Sequence, residues 1–526
     1  TLLLLVMQPS GYKITMDEPV LSATALRMHE YKEVMTTVRA HEIQGVFTQL
    51  DGYVDKRPYF YPFLLSLLHD LTGYRNTNTF LLNALLTPLL LSLLFICGQS
   101  VSSRYGGYFS VLLFATVPLL AMNVNGGGFE LLNLVMILGA VLAAVSYLKQ
   151  PSASRLDTLI LVGILLAQTR YESVVYVLPV GVVVLVGWLS VRRLLLTPVA
   201  LIAPLLLVPF PLQQIVFSDY QGLWQLKDGA EQPFMLSIIP DNLGHAAHYF
   251  FNVTDSQLPN SLLLSVLFVL SLLGAAVLLM KSRFKIEMSS PAVIVSLFFS
   301  VAVCFNFFLL MAYHWGQIDE IIATRIALPF ILFQVLVVVF VQSRLRQSPQ
   351  LTVIGAVVVV GYLFGYTLPL CARSNFLHWV PGQHEALWVQ EQVQERKGDS
   401  VLFVTNKHLL ALAERVPAIA EVDVKSRKQH LEVHLEMGSY QEILFIYPLS
   451  EHPDAFEATS PQAGVYADFE LETVKVEKIG DELYMCMSRL KSVKWLDEDV
   501  FDIDILDHEL IESSEGKLEY FARTLP

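Results

Sequence analysis

Two neighbouring stretches decide how this chain is read: Ile14-Thr15-Met16-Asp17-Glu18-Pro19-Val20 and Asp55-Lys56-Arg57-Pro58-Tyr59-Phe60-Tyr61-Pro62. The first sets an acidic pair between the greasy run Thr1-Leu2-Leu3-Leu4-Leu5-Val6 and a polar segment with helical character. The second puts two cations at the entrance of an aromatic-rich segment. Downstream, as far as about Leu370, long apolar runs dominate. The two stretches therefore belong to the first large polar loop of a membrane protein, and that loop is where chemistry is expected.

Composition supports this class. Of 526 residues, 54% are hydrophobic and 16% charged, with a mean hydropathy of +0.52, far from the balance of a soluble domain. A net charge of −13 argues against a nucleic-acid partner, which is held by clustered Lys and Arg. Cys97, Cys304, Cys371 and Cys486 lie far apart, with neither metal spacing nor a disulfide framework.

A spanning helix needs about 20 apolar residues. Spans are expected near 78–98, 107–124, 130–148, 155–170, 173–191, 195–216, 260–280, 291–312, 326–343 and 351–370. Residues 1–6 read as the outer end of a further helix that begins before Thr1, which makes about eleven in all. One set of loops carries Arg104, Lys149 and Arg155, Arg192 and Arg193, Lys281, Arg283 and Lys285, then Arg344 and Arg346. The positive-inside rule makes these cytoplasmic. The alternate set, including loop 7–77, is then extracytoplasmic. Within that loop, Pro58 to Tyr74 is apolar but short and aromatic, as expected of a helix lying at the interface.

After Leu370 the pattern changes. Amphipathic runs at Glu385–Glu395, Lys407–Arg415 and Lys425–Glu436 alternate with strand-like runs at Val401–Val404, Ile443–Ile446, Thr473–Ile479 and Leu483–Met487. Such alternation predicts a small α/β domain. The expected organisation is a polytopic α-helical membrane domain over 1–372, an extracytoplasmic α/β domain over 373–495 and an acidic tail over 496–526. The tail lacks calcium-loop spacing and reads as a solvated or partner-docking segment.

Charges near spans are costly, so their placement is informative. Cytoplasmic anchors aside, they gather at outer helix ends: Asp17 and Glu18, Lys56 and Arg57, Glu130, Arg170 and Glu172, Asp319, Glu320 and Arg325. Carboxylates and guanidinium groups beside an apolar wall suit a reaction between a lipid-linked phosphate donor and a water-side acceptor. A carboxylate can take the proton of an acceptor hydroxyl. Arg can grip a phosphate bidentately and stabilise leaving negative charge.

Taken together, Asp17-Glu18 after the first helix, Lys56 to Pro62, Glu130 opening a span, Arg170-Tyr171-Glu172, and Thr324-Arg325-Ile326-Ala327-Leu328-Pro329 resemble the GT-C membrane glycosyltransferases. The branch of protein O-mannosyltransferases and the lipid A aminoarabinose transferase is the most similar. The resemblance covers about the first 370 residues. It implies an inverting transfer from a polyprenyl-phosphate sugar to a glycan, lipid or protein acceptor. It places the catalytic carboxylate at Asp17 with Glu18 beside it. The donor phosphate would fall to Arg170 and Arg325, and less directly to Lys56 and Arg57. Glu130, Tyr171, Glu172 and His314 would line the substrate pocket, Glu130 standing where the family often has Asp.

Each motif has an ordinary structural reading as well. Asp-Glu-Pro is a common helix start, Arg325 can be an interface anchor, and Glu172 can simply pair with Arg170. His245 and His248, spaced to share a helix face, would need a third ligand to hold zinc, and a surface helix explains them as well. No Asp-x-Asp triplet occurs in the first loop, so no metal or other cofactor is required, although the sequence leaves room for a divalent cation. Two rival functions remain: a non-catalytic scaffold that keeps the fold and docks a protein on its outer domain or tail, and a lipid transporter or flippase, whose internal repeats and broken helices are not visible.

Overall fold

A computed structural model describes residues 1–14, 17–216, 232–253, 258–281, 290–345, 349–373, 381–449, 468–480 and 483–494. The acidic tail, Arg283, Lys285 and Arg346 lie outside these residues. The chain divides into two compact units, one built from Thr1–Ile14, Lys56–Leu68 and Thr77–Trp379, the other from Thr15–Asp55, His69–Asn76 and Val380–Pro526.

The first unit is a helical membrane domain. Among the described residues, seven helices are long and apolar enough to cross a bilayer: Asn78–Val101, Glu130–Lys149, Tyr171–Val191, Leu262–Lys281, Pro291–Ala312, Ile322–Arg344 and Val353–Arg373. Arg104–Ala115 and Pro118–Val124 make an eighth if counted as one span, bent by 81°. Pro118 starts the second piece, and a proline cannot continue the hydrogen-bond ladder of the first. The other expected positions hold shorter helices, Leu2–Val6, Ala153–Ala167 and Pro198–Leu207. Ala153–Ala167 has 15 residues, about 22 Å of helix against a hydrocarbon core of about 30 Å. It stops short, and its end matters below. Tyr147, Tyr176 and Phe299 anchor a core shared by the helices around it.

The segment Phe60–Thr72 is a 13-residue helix, too short to span. An amphipathic helix, Ile239–Phe251, packs Ala246, Tyr249 and Phe250 inward. With the spans Leu262–Lys281, Pro291–Ala312 and Leu328–Arg344 it encloses an aromatic cavity of about 250 Å³ lined by Phe250, Phe268, Phe307 and Phe330.

The second unit carries the sheets. Its strands are β1 (Thr36–Thr37), β2 (Arg39–Ile43), β3 (Val46–Gln49), β4 (Gly52–Tyr53), β5 (Val401–Thr405), β6 (Ala418–Ala420), β7 (Glu442–Leu449), β8 (Phe469–Lys478) and β9 (Tyr484–Val493). Seven of them run in the order β3-β2-β6-β5-β7-β9-β8, while β1 and β4 pair separately. β5 is buried along its whole length and parallel to both neighbours, as its unbroken Val-Leu-Phe-Val run requires. Helices Pro381–Glu395, His408–Leu412 and Lys428–Glu436 fall where the amphipathic runs predict.

The sequence reading did not anticipate that the first loop supplies two strands to this sheet. β2 pairs antiparallel with β6 through Arg39–Ile419 and Ala40–Ala418, and β3 returns along β2 after a two-residue turn. A buried imidazole cluster fastens the hairpin. The His41 ring stacks on His434 at 4.8 Å, and the Tyr440 hydroxyl accepts the Glu42 N–H at 3.1 Å and lies 2.9 Å from His41 Nδ1. Beside it, Asp51 takes Arg39 at 2.7 Å and Arg427 at 2.8 Å.

Candidate active site

The helix Ala153–Ala167 ends within the bundle, and the chain turns through Gln168 and Thr169 into an extended Arg170 before the short 3₁₀ segment Tyr171–Tyr176. Arg170 is thereby aimed at the start of Glu130–Lys149. That helix start is fixed from behind. Asn83 Nδ2 donates to the carbonyls of Gly126 and Gly128 at 2.8 and 2.9 Å. A side chain at Gly127 would meet Thr79 at 2.5 Å, so only glycine lets the turn lie this close. Glu130 then occupies the first helical turn, where a carboxylate is favoured by the backbone dipoles.

Glu130 Oε1 accepts from Arg170 Nη1 at 2.8 Å and from Arg325 Nη1 at 2.7 Å. Glu130 is 2% exposed and each arginine 5%. Residues 40 and 195 positions from Glu130 are thus gathered around one oxygen atom. Glu172 accepts from Arg170 Nε at 2.5 Å, and the Phe129 ring lies 4.6 Å from the Arg170 guanidinium carbon. Arg325 is braced by its Nε donating to the Ile322 carbonyl at 3.1 Å, just before Pro329 restarts the span. Among the described residues, Glu130 Oε2 is buried and has no hydrogen-bond partner. Arg170 and Arg325 thus share one buried carboxylate, and Glu172 sets a second carboxylate on Arg170.

Of the remaining residues singled out from sequence, Lys56 and Arg57 are half-buried in the same unit. The Phe60 N–H, three positions later, donates to the Gln168 carbonyl at 3.3 Å, so their segment passes beside the Arg170 turn. Tyr171 is half-buried. His314 is buried, donates its N–H to Pro233 at 3.0 Å, and lies edge-on to Tyr313 at 4.6 Å. Asp17 is the half-buried N-cap of Glu18–Tyr31 and Glu18 is buried, both in the second unit. His245 and His248 do share a face, and both Nδ1 atoms bond Asp319, at 2.9 and 3.0 Å. Among the described residues, no group of three or more His, Cys, Asp or Glu side chains is arranged to hold a metal.

The apolar spans and the appended sheet make a polytopic helical membrane fold of the kind seen in solved membrane glycosyltransferases. Among solved structures, the chain is similar to the lipid A aminoarabinose transferase ArnT from Cupriavidus metallidurans bound to undecaprenyl phosphate, with a TM-score of 0.55 and 12% identity over 92% of this chain and 96% of that one. The apo state of the same transferase gives 0.44 at 11% identity over the same shares, and the apo oligosaccharyltransferase of Archaeoglobus fulgidus 0.45 at 11% over 89% and 69%. No protein-family model and no curated protein sequence matches the chain.

Proposed function

We propose that the protein transfers a sugar from a polyprenyl-phosphate carrier to an acceptor at the periplasmic face of a bacterial inner membrane, with inversion at the sugar carbon. The observation that carries this reading is the pair of buried guanidinium groups held by Glu130. Buried arginines in an apolar bundle are costly to keep, and a pair aimed at one point matches the demands of a lipid phosphate. Undecaprenyl phosphate is bound by the similar transferase, which supports the same ligand class here. Arg170 and Arg325 hold the donor phosphate, assisted by Lys56 and Arg57, and Glu130 presets the two guanidinium groups before the donor arrives. Asp17, with Glu18 beside it, receives the proton of the acceptor hydroxyl. The acceptor oxygen attacks the sugar carbon from the face opposite the phosphate, the bond to phosphate oxygen breaks, and polyprenyl phosphate leaves with its charge on the arginines. No step requires a metal.

One experiment has two arms. Lipid extracted with the purified protein is identified by mass spectrometry, and transfer is measured with whichever sugar carrier co-purifies. Arg170→Ala with Arg325→Ala should lose the bound polyprenyl phosphate. Asp17→Asn should keep the lipid and lower transfer by roughly 100-fold or more, the usual worth of a general base. A well-folded protein that never carries polyprenyl phosphate would instead have the fold without the chemistry. Full transfer by Asp17→Asn would remove the catalytic assignment.

A further inference from the structure

Asn133 is a lone polar residue in the apolar run Leu131-Leu132-Asn133-Leu134-Val135, buried and one helical turn beyond Glu130. Positions i and i+3 lie on one face of a helix. Glu130 takes the Arg170 guanidinium, while Asn133 Oδ1 accepts from the Ser173 hydroxyl at 2.8 Å and lies 2.9 Å from the Thr169 hydroxyl. Thr169 and Ser173 are fully buried and flank Arg170 in sequence. The single Thr169 proton also has the Leu166 carbonyl within reach at 2.7 Å, so Ser173 is the firmer donor. The Ser173 N–H closes the turn on the Arg170 carbonyl at 3.1 Å.

We infer that Asn133 is a positioning residue: it pins both flanks of the helix break to the Glu130 helix and so sets where the Arg170 guanidinium points. This rests on the reading of Arg170 as a phosphate ligand. A helix end in an apolar bundle has unsatisfied backbone groups and no intrinsic direction. Two hydroxyls converging on one amide oxygen supply that direction without adding another ionisable group to the site. Asn133 touches no substrate in this role, and its effect is transmitted through Arg170 alone.

The test measures the dissociation constant of undecaprenyl phosphate for the full-length protein in detergent, with thermal midpoints recorded alongside. Asn133→Ala, and separately the pair Thr169→Val with Ser173→Ala, should weaken binding roughly three- to tenfold, the net worth of one or two hydrogen bonds. The hydroxyl-keeping pair Thr169→Ser with Ser173→Thr should restore it. In an Arg170→Ala background the Asn133→Ala change should have no further effect on affinity, since a residue that acts through another is not additive with it. Equal weakening in both backgrounds, or unchanged affinity with a lowered midpoint, would reduce Asn133 to a packing residue. If Arg170→Ala itself binds as tightly as the unmodified protein, the phosphate-ligand reading fails first. If Arg170→Ala weakens binding while the hydroxyl-free pair does not, only the positioning inference falls. If Asn133→Ala does not fold, the hydroxyl pair decides.

Discussion

Two of the polar clusters buried among the described residues are built on opposite principles. In the membrane unit, Glu130, Arg170 and Arg325 are all ionisable and meet at one oxygen. In the sheet unit, His41, His430, His434 and Tyr440 gather near Arg39 and Arg427, and the imidazoles stay neutral because burial, reinforced by the nearby cations, pushes His430 and His434 down to about 3 and His41 well below its ordinary value. The neutral cluster closes on itself by stacking and a tyrosine hydroxyl, as a fastening for the first-loop hairpin. In the charged cluster one carboxylate oxygen accepts from both guanidinium groups. A cluster that only held helices together would be cheaper in apolar form.

The sharpest way to break the contrast is Glu130→Gln, which preserves shape and removes the charge that holds two arginines side by side. Loss of one partner from a buried ion cluster costs about 3–5 kcal/mol, so the thermal midpoint should fall by many degrees. Undecaprenyl phosphate should then recover more stability in the variant than in the unmodified protein, because the phosphate replaces the missing anion. A midpoint that barely moves would mean the arginines do not depend on Glu130. Equal stabilisation of both proteins would mean the phosphate does not occupy their shared position.

Much of this was legible in the sequence, for different reasons in different places. The spans, the fold and the strands β5, β7, β8 and β9 follow from hydropathy and alternation, which are local. Arg170, Glu130 and Arg325 stood out because a charge at the end of an apolar run needs a reason, although no spacing rule says that residues 130 and 325 touch. Asn133 left a weaker mark, one amide in an apolar run. The hairpin of β2 and β3 had a signal that went unread: Gly45 between the alternating segments around Ile43 and Val46. Its pairing with β6, about 380 residues away, is a matter of tertiary packing that no local pattern encodes.

A second test acts on the neutral cluster alone. His430 and His434 have folded values near 3 against about 6.5 when unfolded. Between those limits the unfolded segment binds more protons than the folded one. Stability is therefore intact above about pH 6.5 and declines as pH falls, by roughly 2 kcal/mol per histidine at pH 5. A protonated His41 would also present Nδ1–H to Tyr440, where the neutral ring can accept. Protection factors, which correct for the slower intrinsic exchange at lower pH, should fall in Arg39–Gln49 and Lys428–Glu436 on going from pH 7 to pH 5. Asp51 pairs with Arg39 and Arg427 beside the cluster, so His434→Phe must flatten the response if the imidazoles are its source. An unchanged exchange profile at pH 5 would mean that water reaches the cluster and the histidines are not the clamp.

The smallest effect concerns how the hairpin reaches that clamp. Gln44 and Gly45 have φ of 53° and 76°, the positive pair of a type I′ turn joining Ile43 to Val46. An added Cβ at Gly45 would meet nothing within 4 Å, so any cost of Gly45→Ala comes from backbone strain alone. That cost is about 1 kcal/mol. Gly45→Asn, which tolerates the left-handed region, should cost less, and Gly45→Val should cost more. If the imidazole cluster is the true fastening, all three variants leave β2 protected from exchange near Arg39 and Ala40 while the turn itself frays. If protection is lost along the whole of β2 in step with the strain, the turn and not the histidines holds the first loop on the sheet, and the contrast between the two clusters loses its neutral half.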